Sequence, residues 1–320
     1  KNLFMTRIFL YLKPLAMKKN NTLGSVYQSS SWYEAHQEHA HLIRHKDVWM
    51  YYFEQSRKIP ILGTKKVLFT QGDYIANNET EAITLLSEFR KKSKKYFYGL
   101  IQSVLVDDKD AIYKKAGFYC VTNYSLLIDL QKTKEELWKD LEKKSARWGV
   151  KTAEKNNLSF NVSKNQEEID AFYTLYQQTC AQGGFFCEPR AVIDALVQSE
   201  IATFFLVKHQ QEIVAGAILL LDHHFNYTIL DLSTVSEQGQ HLQAMPFLYW
   251  NLILYSKEQG FDYLDLGGYD KEAKKGSKLY LVNQFKERFG GKLTQQRIYT
   301  PSLTYVLLRK LLSLVKKFRS

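Results

Sequence analysis

Cysteine is scarce in this chain, with three residues in 320, and no pair of them has the spacing of a metal-ligand set. Long apolar runs are also missing, because no stretch approaches the roughly 20 apolar residues of a membrane-spanning helix. The chain has neither a Gly-x-Ser-x-Gly element nor a phosphate-binding P-loop. These absences argue against a disulfide framework, a transmembrane protein, and the common serine-hydrolase and P-loop classes. The sequence therefore predicts a cytoplasmic protein with free thiols at Cys120, Cys180 and Cys187.

Acidic residues are absent from both ends of the chain. The net charge is +11, from 44 basic and 33 acidic residues. Residues 1–19 and residues 302–320 each contain five Lys or Arg and no Asp or Glu, so the two ends supply ten of the eleven excess charges. Basic arms of this kind bind polyanions. The pattern predicts a partner that is either an RNA backbone or an anionic membrane surface.

The C-terminal segment 302–320 has the pattern of an amphipathic helix. Apolar residues recur at helical spacing, with most of the basic residues on the other side. The apolar residues are Leu308, Leu311, Leu312, Val315 and Phe318. Such a helix binds in the plane of a membrane, which predicts peripheral attachment to the inner face of the cytoplasmic membrane. The alternative is that the stripe packs on the N-terminal half. At the other end, Met17 resembles a natural start, and residues 1–16 are excluded from the fold prediction.

The order of predicted elements divides the chain into four parts. A capping box begins a linker helix at 133–157. Residues 158–300 have the order β-α-α-β-β-β-α-β-α-β, which is that of an N-acetyltransferase-like (GNAT-like) fold. Residues 23–132 follow a degenerate version of the same plan, and 301–320 form the basic helix. We therefore predict an α/β protein of two tandem GNAT-like domains with mixed sheets and no long coiled-coil arm.

Several strings after the linker resemble one family, the Fem-type peptidoglycan-bridge aminoacyltransferases. They are Lys-Ser-Ala-Arg-Trp-Gly-Val-Lys-Thr-Ala-Glu-Lys at 144–155, Ala-Met-Pro-Phe-Leu-Tyr-Trp at 244–250, the segment 256–268 that ends in Tyr-Leu-Asp-Leu-Gly-Gly, and Gln-Phe-Lys-Glu-Arg-Phe-Gly-Gly at 284–291. Each string alone is modest, but together they occur in the family's order and spacing. The resemblance covers roughly residues 118–300.

The resemblance implies a reaction and a catalytic pair. Fem-type enzymes transfer an amino acid from aminoacyl-tRNA to the stem peptide of a UDP-linked or lipid-linked muropeptide precursor. In them the Lys of the Phe-Lys pair stabilises the oxyanion that forms when an amine attacks the aminoacyl ester, which assigns this role to Lys286, with Phe285 in the wall of the site. Arg147, Tyr227 and Tyr280 are expected to contact substrate.

Asp231 departs from the family pattern. Relatives often have Tyr-Gly-Ala-Ser on the fourth strand, where this chain has Leu230-Asp231-Leu232-Ser233. Asp231 is therefore either a base or hydrogen-bond acceptor for the incoming amine, or a polar strand residue with a structural partner. The departure lies at a position near the acceptor in the family.

Two further sequence patterns concern the donor and the possible cofactors. Acetyl-CoA enzymes of this fold carry a glycine-rich loop that binds pyrophosphate, and the segment 236–246 lacks its glycine spacing. This favours aminoacyl-tRNA and no cofactor. Four histidines cluster on one predicted helix, but no Cys or acidic residue at ligand spacing accompanies them, so no metal is expected. They are His36, His39, His41 and His45.

Two other functions remain open on the sequence. One is an acyl-CoA-dependent N-acyltransferase that acts on an amino sugar or another envelope glycoconjugate. The other is a non-catalytic Fem-like protein that binds tRNA or membrane, against which the retained Phe285-Lys286 pair argues. The sequence leaves open which amino acid is transferred, which form of the acceptor is used and what the oligomeric state is.

Overall fold

The computed structural model describes residues 24–59, 62–105, 109–184 and 186–318, with side chains up to residue 313. The segment 1–16 lies outside the described residues. In the N-terminal half, a 3₁₀ turn at Val26–Gln28 precedes three helices and five strands. They are α1 (Ser30–Ala35), β1 (Ala40–His45), β2 (Val48–Ile59), β3 (Gly63–Gln71), α2 (Glu79–Ser93), β4 (Gly99–Gln102), α3 (Asp110–Lys115) and β5 (Tyr119–Asp129).

Two linking helices precede the C-terminal half, and the described part of the chain ends in a further helix. The linking helices are α4 (Lys134–Asp140) and α5 (Ala146–Lys155). The C-terminal elements are β6 (Ser159–Val162), α6 (Gln166–Gly183), α7 (Arg190–Gln198), β7 (Ala202–His209), β8 (Glu212–Asp222), β9 (Tyr227–Val235), α8 (Glu237–His241), α9 (Ala244–Glu258), β10 (Tyr263–Gly268), α10 (Lys278–Glu287), β11 (Lys292–Thr300) and α11 (Leu303–Phe318).

The eleven strands of the described residues form one mixed sheet in the order β1-β2-β3-β4-β11-β5-β10-β9-β8-β7-β6. The two halves exchange strands at its centre, because β11 lies between β4 and β5 of the N-terminal half, and β5 lies between β11 and β10. The predicted α/β class with mixed strand directions is confirmed. The predicted order of the C-terminal half is also found, with the short α8 added.

The linker prediction was wrong in one respect, because the helix is interrupted. The capping box is present, with Thr133 and Glu136 each bonding the other's backbone amide. After Asp140 the chain becomes extended at Leu141, whose side chain is only 1% exposed. The amide of Glu142 then donates to the carbonyl of Arg288 at 2.8 Å. Burying Leu141 and pairing with the end of α10 outweigh the helical continuation that the local sequence favours.

The prediction that the four histidines lie on one helix was also wrong. α1 ends at Ala35, and His41 and His45 lie in β1, which pairs with β2 along six residues. Both are exposed, whereas Ile43 of the same strand is 1% exposed. Pairing with a long neighbouring strand overrides the weak helical pattern. No group of three metal-ligating side chains comes together in the described parts of the chain.

α11 packs across the sheet of the N-terminal half. Tyr305 is buried, with its ring 4.7 Å from that of Tyr98, and Leu308 packs on the same apolar cluster. The predicted apolar stripe is therefore divided, because Leu311 is 56% exposed while Leu308 faces the core. The side chains of Val315 and Phe318 lie outside the described set. In the part that the structure covers, no helix has both the length and the apolar character needed to cross a bilayer.

The parallel strands β9 and β10 separate where the site forms. They pair only at their first three positions, from Tyr227 opposite Tyr263 to Ile229 opposite Asp265. Beyond this point β9 continues beside β8, while β10 ends at Gly268 next to β5. The gap between two diverging strands leaves side chains and backbone groups without a neighbouring strand, which is how an open sheet forms a binding crevice.

Candidate active site

The divergence of β9 and β10 opens a cavity of about 280 Å³ between the two halves, here called the inner cavity. Both halves contribute to its lining. The residues include Tyr27, Gln71, Ser103 and Ser125 from the N-terminal half and Tyr227, Asp231, Asp265, Gly267 and Gly268 from the C-terminal half. The expected contact residue Tyr227 is thus in the wall, where it is 2% exposed and burial raises the pKa of its phenol.

Asp231 reaches the inner cavity from a β-bulge. On β8, Leu219 pairs with Leu230 and Ile218 pairs with Leu232, so Asp231 is the extra residue with no partner opposite it. Bulges of this kind redirect one side chain and are frequent beside active sites. Among the described residues, none donates a hydrogen bond to the Asp231 carboxylate. A purely structural role would need such a donor, and the described residues supply none.

The environment of Asp231 favours its protonated form. Burial, followed by repulsion from the Glu188 carboxylate, raises the pKa of Asp231 to about 7. Burial also raises the pKa of Glu188, which lies just before α7. A carboxylate with a pKa near neutrality can accept a proton from an attacking amine and release it again, as general-base catalysis requires.

Lys286 lies at the edge of the inner cavity. Its Nζ donates to the carbonyl of Gly268 at 3.0 Å, and it is 3.5 Å from the position that a Cβ on Gly267 would occupy. Gly267 has a φ of +82°, so a side chain there would strain the backbone as well as contact the ammonium. Burial lowers the pKa of Lys286 to about 8, and the nearby Asp265 carboxylate opposes that shift.

The Asp265 carboxylate interacts electrostatically with the Lys286 ammonium. It is 6% exposed, accepts a hydrogen bond from the Ser125 hydroxyl, and accepts a second from the Gly267 amide at 2.7 Å. Burial raises the pKa of this carboxyl, while Ser125, Gly267 and Lys286 each act to lower it. Asp265 thus positions the glycine turn and keeps the neighbouring ammonium protonated.

A second cavity of about 380 Å³ lies on the other side of α10, here called the outer cavity. It lies at the N-terminal ends of α5 and α9. Its lining residues are Lys144, Ser145, Ala146, Trp148, Gln240, Gln243, Met245, Pro246, Phe285, Arg288 and Phe289. This lining contains two cations and no acid, although Glu142 lies 3.7 Å from Arg288. Trp148 is 54% exposed, so the outer cavity presents an aromatic surface beside positive charge.

Four backbone amides of the loop between β9 and α9, which borders the outer cavity, donate within the loop. The amides of Gly239 and Gln240 donate to the side chain and the carbonyl of Ser236, and those of Leu242 and Gln243 donate to carbonyls of the same turn. A pyrophosphate needs such amides free. The geometry therefore agrees with the sequence observation that the glycine spacing of CoA-binding enzymes is missing here.

α10 lines the outer cavity and reaches the edge of the inner one. Phe285 lines the outer cavity and packs edge-on against Tyr249 and Phe289, with ring centroids 5.0 and 5.2 Å away. The next residue, Lys286, reaches the glycine turn of the inner cavity. A carbonyl group bound at this boundary would meet a nucleophile from the inner side and a fixed cation beside its oxygen.

Arg147 and Tyr280, the two other residues expected to contact substrate, do not line the cavities themselves. Arg147 lies on the turn of α5 that borders the outer cavity, and its Nε is buried with no hydrogen-bond partner among the described residues. Tyr280 lies near the start of α10, where its hydroxyl accepts a hydrogen bond from Gln284 at 3.2 Å. It is not part of the lining of either cavity.

The sequence reasoning assigned no role to Asp265, Glu188, Lys144, Trp148 or Arg288. A role for Asp265 could have been predicted, because a charged residue inside the apolar run of a buried strand needs a partner. No sequence pattern indicates Glu188, because its proximity to Asp231 depends on how the segment between α6 and α7 folds back on α6, which packs beside β9. Lys144 and Trp148 lie in the string at 144–155 and Arg288 lies in the string at 284–291. The interruption of the linker and the position of α10 bring these distant residues together.

We expect Asp265→Asn to shift the high-pH limit of activity toward lower pH. The substitution keeps an oxygen for Ser125 and Gly267 but removes the charge that holds the pKa of Lys286 up. Activity that needs the charged ammonium is lost as pH rises through that pKa, so the loss should begin below its present value of about 8. A pH–rate profile measures this. Asp262→Asn, a change at a half-buried residue just before the same strand, is the control, and an unshifted limit for Asp265→Asn would contradict the role.

Comparison with known proteins agrees with this geometry. Residues 142–275 match the model of the Acetyltransferase (GNAT) domain. The crystal structure of FemX is similar over 91% of this chain and 95% of its own, with 16% identity and a TM-score of 0.67. The C-terminal domain of a putative lysylphosphatidylglycerol synthetase from Agrobacterium fabrum is similar over 90% and 91%, with 14% identity and a TM-score of 0.62. L-PGS from Bacillus licheniformis is similar over 91% and 97%, with 15% identity and a TM-score of 0.61. A comparison with curated proteins gave no significant match.

The domain match and the fold define the chain as having a GNAT-like fold. Within that fold, the arrangement of both halves follows that of FemX over nearly the whole chain. The predicted resemblance to the Fem type is thereby confirmed at the level of the fold.

Proposed function

We propose that this protein is an aminoacyltransferase that moves an amino acid from aminoacyl-tRNA to an amine of the stem peptide of a peptidoglycan precursor. The amine in the inner cavity attacks the ester carbonyl of the donor, whose tRNA end lies in the outer cavity. A C–N bond forms and the ester C–O bond breaks. Asp231 accepts the proton that the amine loses and passes it to the departing ribose oxygen of the tRNA, which returns Asp231 to its ionised form.

Lys286 stabilises the oxyanion of this step. Negative charge develops on the carbonyl oxygen only as the amine adds, so a cation already held beside it favours the transition state over the ground state. The hydrogen bond to Gly268 and the charge of Asp265 fix the ammonium before substrate arrives. A preorganised cation in a half-buried site needs little reorganisation during the reaction.

The observation that carries the choice of donor is the internal bonding of four amides in the loop before α9. CoA would need these amides for its pyrophosphate, whereas a tRNA end needs cations for single phosphates and a surface for its terminal base. Lys144 and Arg288 supply the charge, and the exposed ring of Trp148 supplies the stacking surface. Because charged tRNA is a cytoplasmic substrate, the reaction is placed in the cytoplasm. No cofactor is required.

The acceptor assignment rests on Asp231 and on the Fem-type strings around the site. A carboxyl with a pKa of about 7 suits an amine nucleophile, which must lose a proton as it forms an amide. The inner cavity between the two halves is also the place where a peptide strand from a muropeptide, linked either to UDP or to a lipid, would enter.

Donor binding gives a direct test of the proposal. We expect tRNA to bind with an affinity that falls steeply with salt, because phosphate contacts release counterions, and acetyl-CoA not to bind. Lys144→Gln should remove about one phosphate contact. The magnitude of the slope of log K against log salt should then fall by roughly 0.7, the value per contact for a single strand. Lys151→Gln, an exposed change on α5, is the matched control.

Fluorescence titration at several salt concentrations and calorimetry with acetyl-CoA give the two readouts. Tight, salt-insensitive binding of acetyl-CoA would contradict the donor assignment and favour the acyl-CoA-dependent N-acyltransferase. Equal slopes for Lys144→Gln and wild type would remove Lys144 from the donor site.

A further inference from the structure

α11 has two apolar faces, and among the residues that the structure describes only one of them packs on the sheet. Tyr305 and Leu308 pack on the sheet, as described above. The opposite side carries three leucines at spacings of four residues, Leu303, Leu307 and Leu311, which are 53%, 56% and 56% exposed. On an α-helix this spacing forms a continuous row about 12 Å long. A helix held only by its inner face would normally carry polar residues on this row.

The row of Leu303, Leu307 and Leu311 is here called the leucine face. The β2–β3 hairpin packs on the same buried cluster as α11, because Ile59 at the end of β2 and Tyr305 both belong to it. Leu62, in the turn of this hairpin, is a further exposed leucine, at 46%.

Basic residues lie on α11 and on the hairpin that packs on the same cluster. Arg57 of β2 lies over the Phe69 ring at 5.0 Å, and the charges of Arg57 and Arg309 both act on the Tyr305 phenol. Lys65 pairs with Arg57 across the hairpin, and Lys310 lies between Leu307 and Leu311 on α11.

Few acids oppose these cations. The segment 302–320 contains five basic residues and no acid. At the far end of α11, Glu272 accepts a hydrogen bond from Ser313 at 2.6 Å, so this acidic side chain is already engaged.

We propose that the leucine face is a docking surface for an anionic membrane. Exposed leucines enter the boundary between headgroups and acyl chains, while the surrounding cations contact anionic headgroups. An RNA backbone would match the cations but not the apolar row, since phosphates gain nothing from contact with leucine. A second copy of this chain would match the leucines but would bring two sets of cations together. The membrane satisfies both features at once.

Vesicle binding by the full-length protein tests this proposal. Deletion of α11 is unsuitable because Tyr305 belongs to the core. We expect wild type to sediment with vesicles of phosphatidylcholine and phosphatidylglycerol in equal parts, but not with phosphatidylcholine alone. The double variant Leu307→Gln/Leu311→Gln should bind the anionic vesicles about tenfold more weakly, because two exposed side chains no longer enter the interface. Lys310→Gln should bind about fivefold more weakly.

The control is Leu281→Gln on α10, because Leu281 is exposed to the same 56% as Leu307. It should bind vesicles as wild type does. Failure of wild type to bind anionic vesicles would overturn the proposal. So would a result in which Lys310→Gln weakens binding but the leucine variant does not, which indicates a purely electrostatic, RNA-like surface. A wild-type dimer in light scattering that the leucine variant converts to a monomer would assign the face to self-association instead.

Discussion

Lys286→Met is expected to lower the turnover number by about a hundredfold to a thousandfold, the range measured when one donor to an oxyanion is removed. The substitution keeps most of the apolar stem and removes the charge that stabilises the developing oxyanion. The KM for either substrate should change little, because the contact is realised mainly in the transition state. Steady-state kinetics with saturating donor and acceptor provides the measurement.

Lys257→Met is a matched control for this experiment. The Nζ of Lys257 donates to the carbonyl of Leu130 at 3.0 Å, the same type of bond at the same distance as that from Lys286 to Gly268. Lys257 lines neither cavity. Both variants should therefore lose a similar, small amount of thermal stability, but only Lys286→Met should lose activity. Equal activities of the two variants would show that the Lys286 ammonium has no catalytic role.

Asp231→Asn is expected to lower the turnover number by about a hundredfold or more, the typical contribution of a general base. In wild type the rate should rise as pH passes the Asp231 pKa of about 7 and fall as pH passes the Lys286 pKa of about 8, which gives a narrow bell-shaped profile. Asparagine cannot accept the proton, so the low-pH limb should disappear. A variant that keeps both the rate and the low-pH limb would assign the base to another group.

Stability gives an independent check on Asp231. Its pKa in the folded protein is raised above the unfolded value of about 3.9. The folded state therefore binds the proton more tightly, and this contribution to stability is full below pH 4 and lost as pH rises through about 7. At pH 8 the ionised carboxylate destabilises the fold. Asp231→Asn should then have a melting temperature at pH 8 at least equal to that of wild type. A large loss of stability would instead indicate a structural role.

The sequence was most informative where function depends on short strings. Phe285 and Lys286 were assigned from the string that ends α10, and the structure places them at the boundary between the two cavities. Tyr227 was expected to contact substrate and lies in the wall of the inner cavity. The element order also predicted the fold, because caps and glycines mark the ends of most helices in the local sequence.

What the sequence could not predict depends on packing between distant segments. The bulge that turns Asp231 into the cavity arises from the register between β8 and β9, which no local pattern specifies. The interruption of the linker at Leu141 arises because Glu142 pairs with the end of α10, far along the chain. The division of α11 into a buried and an exposed apolar face follows from its docking against the sheet, since both faces are leucine-rich in sequence.

The most direct test of the proposed function is a transfer assay with two labelled donors. Purified protein is incubated with a nucleotide-linked or a lipid-linked muropeptide precursor, and receives either tRNA charged with labelled amino acids or labelled acetyl-CoA. Lys286→Met serves as the control for background transfer. We predict that label moves from tRNA to the precursor, that this transfer is lost in Lys286→Met, and that acetyl-CoA donates nothing. Transfer from acetyl-CoA with none from charged tRNA would contradict the proposed function.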